Sequence, residues 1–252
     1  VSREYHAGLA ALLGIQAALA AQRGYMAEER IFEKRGGFCA AYGDTDGSSI
    51  TRDLGDTWDI ITDMAIKLVP GGHPSHALAE AAANAASAGQ INPDEVETIT
   101  LARPGVTALT GPIHPADLIE MAHSPAYFVA AGVADREFSW QHATEAKIAD
   151  PVIHQLIDKV RVGTPPTQQI EQYKQGATVT IQTKDGLTFS STVFAPKGAG
   201  FLGIDWADVD AKFRTLVPGS GVSAQQIEAS LQLIHNFGNV EHVSQLTSLL
   251  LT

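Results

Sequence analysis

The chain has 252 residues, with 17 Lys+Arg against 28 Asp+Glu and a formal net charge of −11; such a surface repels a phosphate backbone and argues against nucleic-acid binding. Hydrophobic residues make up 44% and charged residues 18%, enough apolar material for one large core or two modest ones and too little charge for wholesale disorder. The single Cys39 excludes an internal disulfide and cannot by itself hold an iron–sulfur cluster or a Cys-rich zinc site. A cytoplasmic protein is the expectation, with no membrane partner: the most apolar run, 7–21, is interrupted by Gln16 and too short to span a bilayer.

In chain order, Glu4 to Gln22 places Leu9, Leu12, Leu13, Ile15 and Leu19 at helical spacing. Gly8 and Gly14 within it predict close approach to neighbouring helices, and Gly24 supplies a C-cap. The helical pattern is under way by Ala7, with no signal-peptide features ahead of it, so further polypeptide is expected upstream. Glu28 to Gly43 reads as a short helix around a Gly36-Gly37 break, and Gly43 to Gly55 as a surface loop. Strand-like alternation follows at Val96 to Arg103, Val160 to Thr164, Ala177 to Thr183 and Leu187 to Phe194, with Lys184-Asp185-Gly186 as a hairpin turn. Helical patterns lie at His76 to Ser87, Ala116 to Ala131 and Pro151 to Val160. After Pro196-Lys197-Gly198 the chain returns to helices at Trp206 to Leu216, Ser223 to Asn236 and Val240 to Leu251, with Ser223 and Gln226 spaced as a capping box. The predicted class is α+β: a discontinuous all-helical domain (1–65 and 199–252), incomplete at its N-terminus, with an inserted α+β domain (66–198) whose sheet is mainly antiparallel.

The densest polar cluster is Lys67-Leu68-Val69-Pro70-Gly71-Gly72-His73-Pro74-Ser75-His76, at the predicted domain junction. Its prolines and glycines set a fixed loop ahead of a helix, so N–H groups at Gly71, Gly72 and the helix start are candidates to face an anion. Lys67 adds positive charge, and His73 and His76 exchange protons near neutral pH. That set suits proton removal next to a carboxylate, cations steadying the developing enolate and an imidazole acting as base or acid; ordinary turn chemistry accounts for the same residues. His73 and His76 lack a third metal ligand nearby, so no metal is predicted. Asp44, Asp46 and Asp53 lack the calcium-loop pattern. Pro125 should kink the 116–131 helix and leave His123, Ser124 and Tyr127 at an irregular spot facing a cleft. Arg3 could clamp a carboxylate, with Tyr5 and His6 beside it. His114, His142, His154, His235 and His242 belong to no motif. G-x-G-x-x-G, P-loop and G-x-S-x-G sequences are all lacking, and no cofactor is predicted.

Five pieces in order resemble the MmgE/PrpD family, which includes 2-methylcitrate dehydratase, cis-aconitate decarboxylase and iminodisuccinate epimerase relatives. They are Ser2-Arg3-Glu4-Tyr5-His6-Ala7-Gly8, Phe32-Glu33 through Gly36-Gly37-Phe38, Lys67-x-x-Pro70 with His76, His123-Ser124-x-x-Tyr127, and Lys212-Phe213. The resemblance implies a helical domain with an α+β lid, and a cofactor-independent lyase (dehydratase or decarboxylase) or epimerase acting on a small di- or tricarboxylate. It implies catalytic roles for Lys67, His73, His76 and Tyr127, His73 standing one residue after the family's usual histidine position. Arg3, His6, Gly71, Gly72, His123 and Ser124 would bind substrate. It further implies a homodimer, or a complex with a chain supplying an N-terminal helical part; a non-catalytic subunit is the alternative.

Overall fold

The computed structural model describes residues 2–43, 47–58, 64–173 and 175–251. The chain divides into two compact units, Val1–Trp58 and Asp59–Thr252.

The first unit is helical. Helix α1 (Ser2–Gln22) carries Tyr5, Leu12, Leu13 and Ile15 at half-exposed or greater, so within this unit its apolar residues face outward. A Cβ at Gly8 or Gly14 would meet open space; close helix approach is therefore not what these glycines serve inside the unit. The helix expected over 28–43 is confined to α2 (Phe38–Tyr42), because Gly36 takes φ +74° and Gly37 packs its Cα against the Ile31 carbonyl. Part of the expected loop at 43–55 is instead a short helix, α3 (Ser48–Thr51), entered through Gly47 at φ +78°; Asp44 and Asp46 lie outside the described residues.

In the second unit, the Ala-rich α4 (His76–Gly89) lies along α6 (Pro125–Asp135). Small residues permit this: Gly132 of α6 sits so close that a Cβ would lie 2.6 Å from the Ala79 carbonyl. The pair covers one face of a four-stranded sheet ordered β2-β1-β3-β4, with β1 at Val96–Ala102, β2 at Val160–Val162, β3 at Ala177–Thr183 and β4 at Thr188–Val193. Strands β1/β3 and β3/β4 are antiparallel and β1/β2 parallel, with Ile99 opposite Val160. The sheet is thus mixed and mainly antiparallel, the parallel pair needing the long crossover that holds α5 (Leu118–Ala122), α6, α7 (Glu145–Ile148) and α8 (Pro151–Ile157). Ile99, Leu101, Val179 and Ile181 join Leu78, Phe128 and Val129 in the core, while Thr178 and Thr180 on the other face pair across to Thr192 and Ser190.

The helix expected over 116–131 is two. Pro125 occupies the first turn of α6, where its missing N–H costs nothing, and Ser124 caps it. A short α9 (Ile170–Tyr173) precedes β3. Helix α10 (Trp206–Leu216) is capped by Asp205, and α11 (Ala224–His235) carries the anticipated Ser223/Gln226 capping box. Val222, Ile227 and Leu231 form a smaller core with Phe213 and Val217, and Arg214 grips Glu228 through two nitrogens at 2.7 and 2.9 Å. Only α12 (Ser244–Thr247) and flanking 3-10 turns form in the last stretch. Among the described residues no helix is long and apolar enough to cross a membrane.

Candidate active site

The segment from Lys67 to His76 closes on itself. The Lys67 ammonium donates to the Gly71 carbonyl at 2.9 Å. Gly71 takes φ +85°, and a Cβ there would lie 2.4 Å from Cζ of Phe128; only glycine fits both constraints. Gly72 donates its N–H to the Ala122 carbonyl at 2.9 Å. The Ser75 N–H goes to the Gly72 carbonyl and the His76 N–H to the His73 carbonyl. The anion-facing role is thereby corrected for Gly72 and the helix start, whose amides at Gly72, Ser75 and His76 are consumed within the turn or against α5. Gly71 and Gly72 are positions of close packing.

The imidazoles are different. His76 is 3% exposed and His73 half-buried, their rings meeting edge to face with centroids 5.0 Å apart. None of their four ring nitrogens makes a hydrogen bond of good geometry among the described residues, although the Pro70 and Gly71 carbonyls stand near His76 and the Gln175 side chain near His73; a buried nitrogen left without a full bond costs about 1–3 kcal/mol. Phe128 stands 6.1 Å from His76 and Phe138 4.7 Å from Phe128, an apolar wall of rings. Burial, then the charges of His73 and Lys67, push His76 down to about 4, with the Pro70 and Gly71 carbonyls offsetting part of this. His73 is lowered too, first by burial; Lys67 and Arg103 add to the effect and the Gln175 side chain opposes it. Both imidazoles are therefore neutral at pH 7, and perturbed groups of this kind cluster at functional sites.

Arg103 was not legible beforehand. It follows β1, is half-buried, and donates from Nη1 to the Pro74 carbonyl at 2.5 Å, which sets the guanidinium into the His73–Ser75 turn. Burial holds it below the ordinary arginine value, and no neighbouring carboxylate works against that. A lone arginine before Pro104-Gly105 carries no motif, so only the fold exposes its position.

The α5–α6 corner serves packing. Ser124 is fully buried, accepts the Tyr127 N–H at 3.2 Å and donates to the Ile113 carbonyl at 3.3 Å. Tyr127 is also fully buried, its hydroxyl donating to the His142 carbonyl at 2.9 Å; burial first, then Asp150 and Asp135, push that hydroxyl well above the usual tyrosine range. Neither side chain faces a hollow, contrary to expectation, because Pro125 begins a new helix and the corner satisfies its own polar groups. His123, exposed at the end of α5, turns Nδ1 to the Ile119 carbonyl at 2.7 Å. In the first unit, His6 is exposed beside Tyr5, and the Arg3 side chain lies outside the described residues.

Several histidines without a motif prove structural. His142 accepts the Ser139 N–H at Nδ1 and donates from Nε2 to Asp135 at 3.0 Å, and Asp135 also pairs with Lys147. His114 bridges the His154 ring and Asp158, each at 2.9 Å. Among the described residues no three His, Cys, Asp or Glu gather to hold a metal.

Two hollows compete as the place for a ligand. One, of about 320 Å³, is bordered by His76, Leu68, Val69, Phe138, Pro196 and Lys197. The other, of about 530 Å³, lies where α4 ends against the β3–β4 hairpin and carries Asp94, Glu95 and Asp185 with Lys184. The larger has an excess of acids and no imidazole; the smaller balances Glu80 and Glu137 with Arg136 and Lys197 and adjoins His76, while Lys67, His73 and Arg103 border neither.

The model of the MmgE/PrpD C-terminal domain matches residues 70–236. The chain belongs to the MmgE/PrpD family. Human cis-aconitate decarboxylase is 26% identical over 255 residues, covering 99% of this chain and 53% of that protein; the mouse protein is 24% identical over 257 residues, covering 99% and 52%. The chain therefore spans about half the length of the curated relatives it matches. Within this MmgE/PrpD chain, the matched stretch takes in His73, His76, Arg103 and Tyr127 and begins three residues after Lys67.

Proposed function

We propose that this chain forms part of a lyase of the dehydratase or decarboxylase type that acts, without a cofactor, on a small di- or tricarboxylate. One observation carries the reading: two neutral imidazoles, His76 buried and His73 half-buried, sit in the turn that follows Lys67 and that Arg103 bonds at the Pro74 carbonyl, with no carboxylate paired to either cation among the described residues. A neutral imidazole accepts a proton from the carbon next to a carboxylate, and the electron pair delocalises onto that carboxylate. The Lys67 ammonium, held at the Gly71 carbonyl in the same loop, would stabilise such developing charge. His76, pushed down to about 4, is a poor proton acceptor at pH 7, which leaves the half-buried His73 as the base. In the lyase course the electron pair expels hydroxide, which takes a proton from the Lys67 ammonium and leaves as water, or, in a decarboxylation, the pair left on carbon by departing CO2 is stabilised at the same place and takes a proton; in the other course a proton returns to the deprotonated carbon, and the enzyme would be an epimerase. The relatives are named for decarboxylation of cis-aconitate, which favours the first.

The reading includes a partner. Helix α1 turns Tyr5, Leu12, Leu13 and Ile15 outward, an apolar stripe suited to burial against a second copy or a helical chain. Substrate-dependent exchange of carbon-bound protons into D2O, followed by NMR over a panel of di- and tricarboxylates, tests the proposal. Exchange abolished by Lys67→Ala and His73→Gln is the supporting result. Exchange in neither this chain nor its complex with the relatives' other half would leave a non-catalytic subunit as the answer.

A further inference from the structure

We infer that His114, His154 and Asp158 hold one proton in common, and that this proton clasps the segment between β1 and α5 onto α8. The clasp is independent of the chemistry at the Lys67–His76 turn.

Nε2 of His154 lies 2.8 Å from the Ile148 carbonyl, and Nε2 of His114 lies 2.9 Å from Oδ1 of Asp158. A carbonyl and a carboxylate only accept, so both Nε2 atoms must carry hydrogen. A neutral imidazole has no second hydrogen to offer, which would leave both Nδ1 atoms bare. Those two atoms face one another at 2.9 Å. The ring planes are 12° apart and the centroids 5.2 Å apart, a separation reached at that nitrogen distance only when the rings lie end to end. Bare lone pairs would then point straight at each other. One added proton, taken from water, turns the repulsion into an N–H···N bond, and the Asp158 charge balances the imidazolium so formed. A metal ion does not fit the same gap. It needs each nitrogen about 2.0–2.1 Å away, and 2.9 Å end to end is too short for two such bonds.

The elements that the proton joins give it a role. His114 belongs to the stretch between β1 and α5, which begins at Arg103, the residue bonded to the Pro74 carbonyl. His154 lies on α8, and Asp158 caps its end. Other charged groups on the packed elements have partners of their own: Arg161 bonds the carbonyls of Asp158 and Val160, Lys159 that of Val96, and Lys147 pairs with Asp135 and Asp150. Asp117 and Glu120 accept amides at the start of α5. An unclasped histidine releases its proton above about pH 6.5, so the clasp is complete below that value and weakens as the pH rises.

Imidazole NMR at pH 7 on the intact chain, with isotope-labelled histidine and H114Q for assignment, tests the proton count. The expected spectrum shows both Nε2 atoms protonated and one proton coupled to both Nδ1 atoms. A bare Nε2 on either ring, or no proton between the Nδ1 atoms, overturns the count; a spectrum that EDTA alters overturns the proton in favour of a metal. Amide hydrogen exchange over residues 105–117, corrected for the intrinsic effect of pH, tests the clasp. Protection in the parent should fall about threefold to tenfold between pH 6 and 8.5 and stay level in H114Q and H154Q. Parent protection that stays level, or that falls equally in the variants, overturns the clasp.

Discussion

Acid should destabilise this protein through one side chain, and the amount can be worked out. His76 is neutral and 3% exposed; folding lowers it from 6.5 to about 4. Between those values the unfolded chain binds a proton at this residue that the folded chain refuses, so stability falls as the pH drops below 6.5 and levels off near 4. A gap of about 2.5, at about 1.4 kcal/mol for each, amounts to about 3 kcal/mol. Carboxylates also titrate in this range, so the comparison must be with a variant. His76→Met keeps a side chain of similar bulk that adapts to the Phe128 wall and removes two orphaned nitrogens. At pH 7 it should be as stable as the parent or more so, by up to about 2 kcal/mol. Urea unfolding at pH 7.0, 5.5 and 4.5 then reads the difference: the parent should lose about 2–3 kcal/mol more than His76→Met across that span. Parallel losses in the two proteins would refute the argument.

Other outcomes follow from the same geometry. Tyr127→Phe removes the bond to the His142 carbonyl and should cost about 1–2 kcal/mol in thermal unfolding, with the rate of substrate proton exchange unchanged; a collapse of exchange in a folded variant would restore the hydroxyl to the chemistry. Gly71→Ala places a Cβ 2.4 Å from Phe128 at φ +85° and should lower stability by at least about 1 kcal/mol from backbone strain alone, read as a fall in melting temperature. Asp135→Ala removes the acceptor of the buried His142 and leaves Lys147 with Asp150 alone, and should cost about 1–3 kcal/mol in urea unfolding; a loss below about 0.5 kcal/mol would mean the network is only a surface pair.

The strands and long helices of the second unit were legible because their periodicities are strong: β3 alternates Ala177, Val179 and Ile181 inward with Thr178 and Thr180 outward, and Ser223/Gln226 announce α11. The α5–α6 break was half legible. Pro125 signalled a disturbance, but a proline in a first turn reads the same in sequence as one that kinks a continuous helix. The Lys67–His76 cluster was legible as a cluster, whereas the use of its amides was not, since the Ala122 carbonyl that takes the Gly72 N–H lies fifty residues on. Arg103 was hidden for the same reason: its neighbourhood is made by the end of β1 meeting the Pro74 turn. In the first unit, Gly36 and Gly37 outweighed helical spacing in their surroundings.

The two glycines of the site turn have a consequence for how such a site could diversify. With one backbone pressed onto an aromatic edge and the next tied to a distant helix end, the turn tolerates little change in its own path, and substitutions in Phe128 would be felt in the turn as surely as substitutions in the turn itself. New substrate preferences would then have to come from side chains outside the turn, set against an unchanging rail.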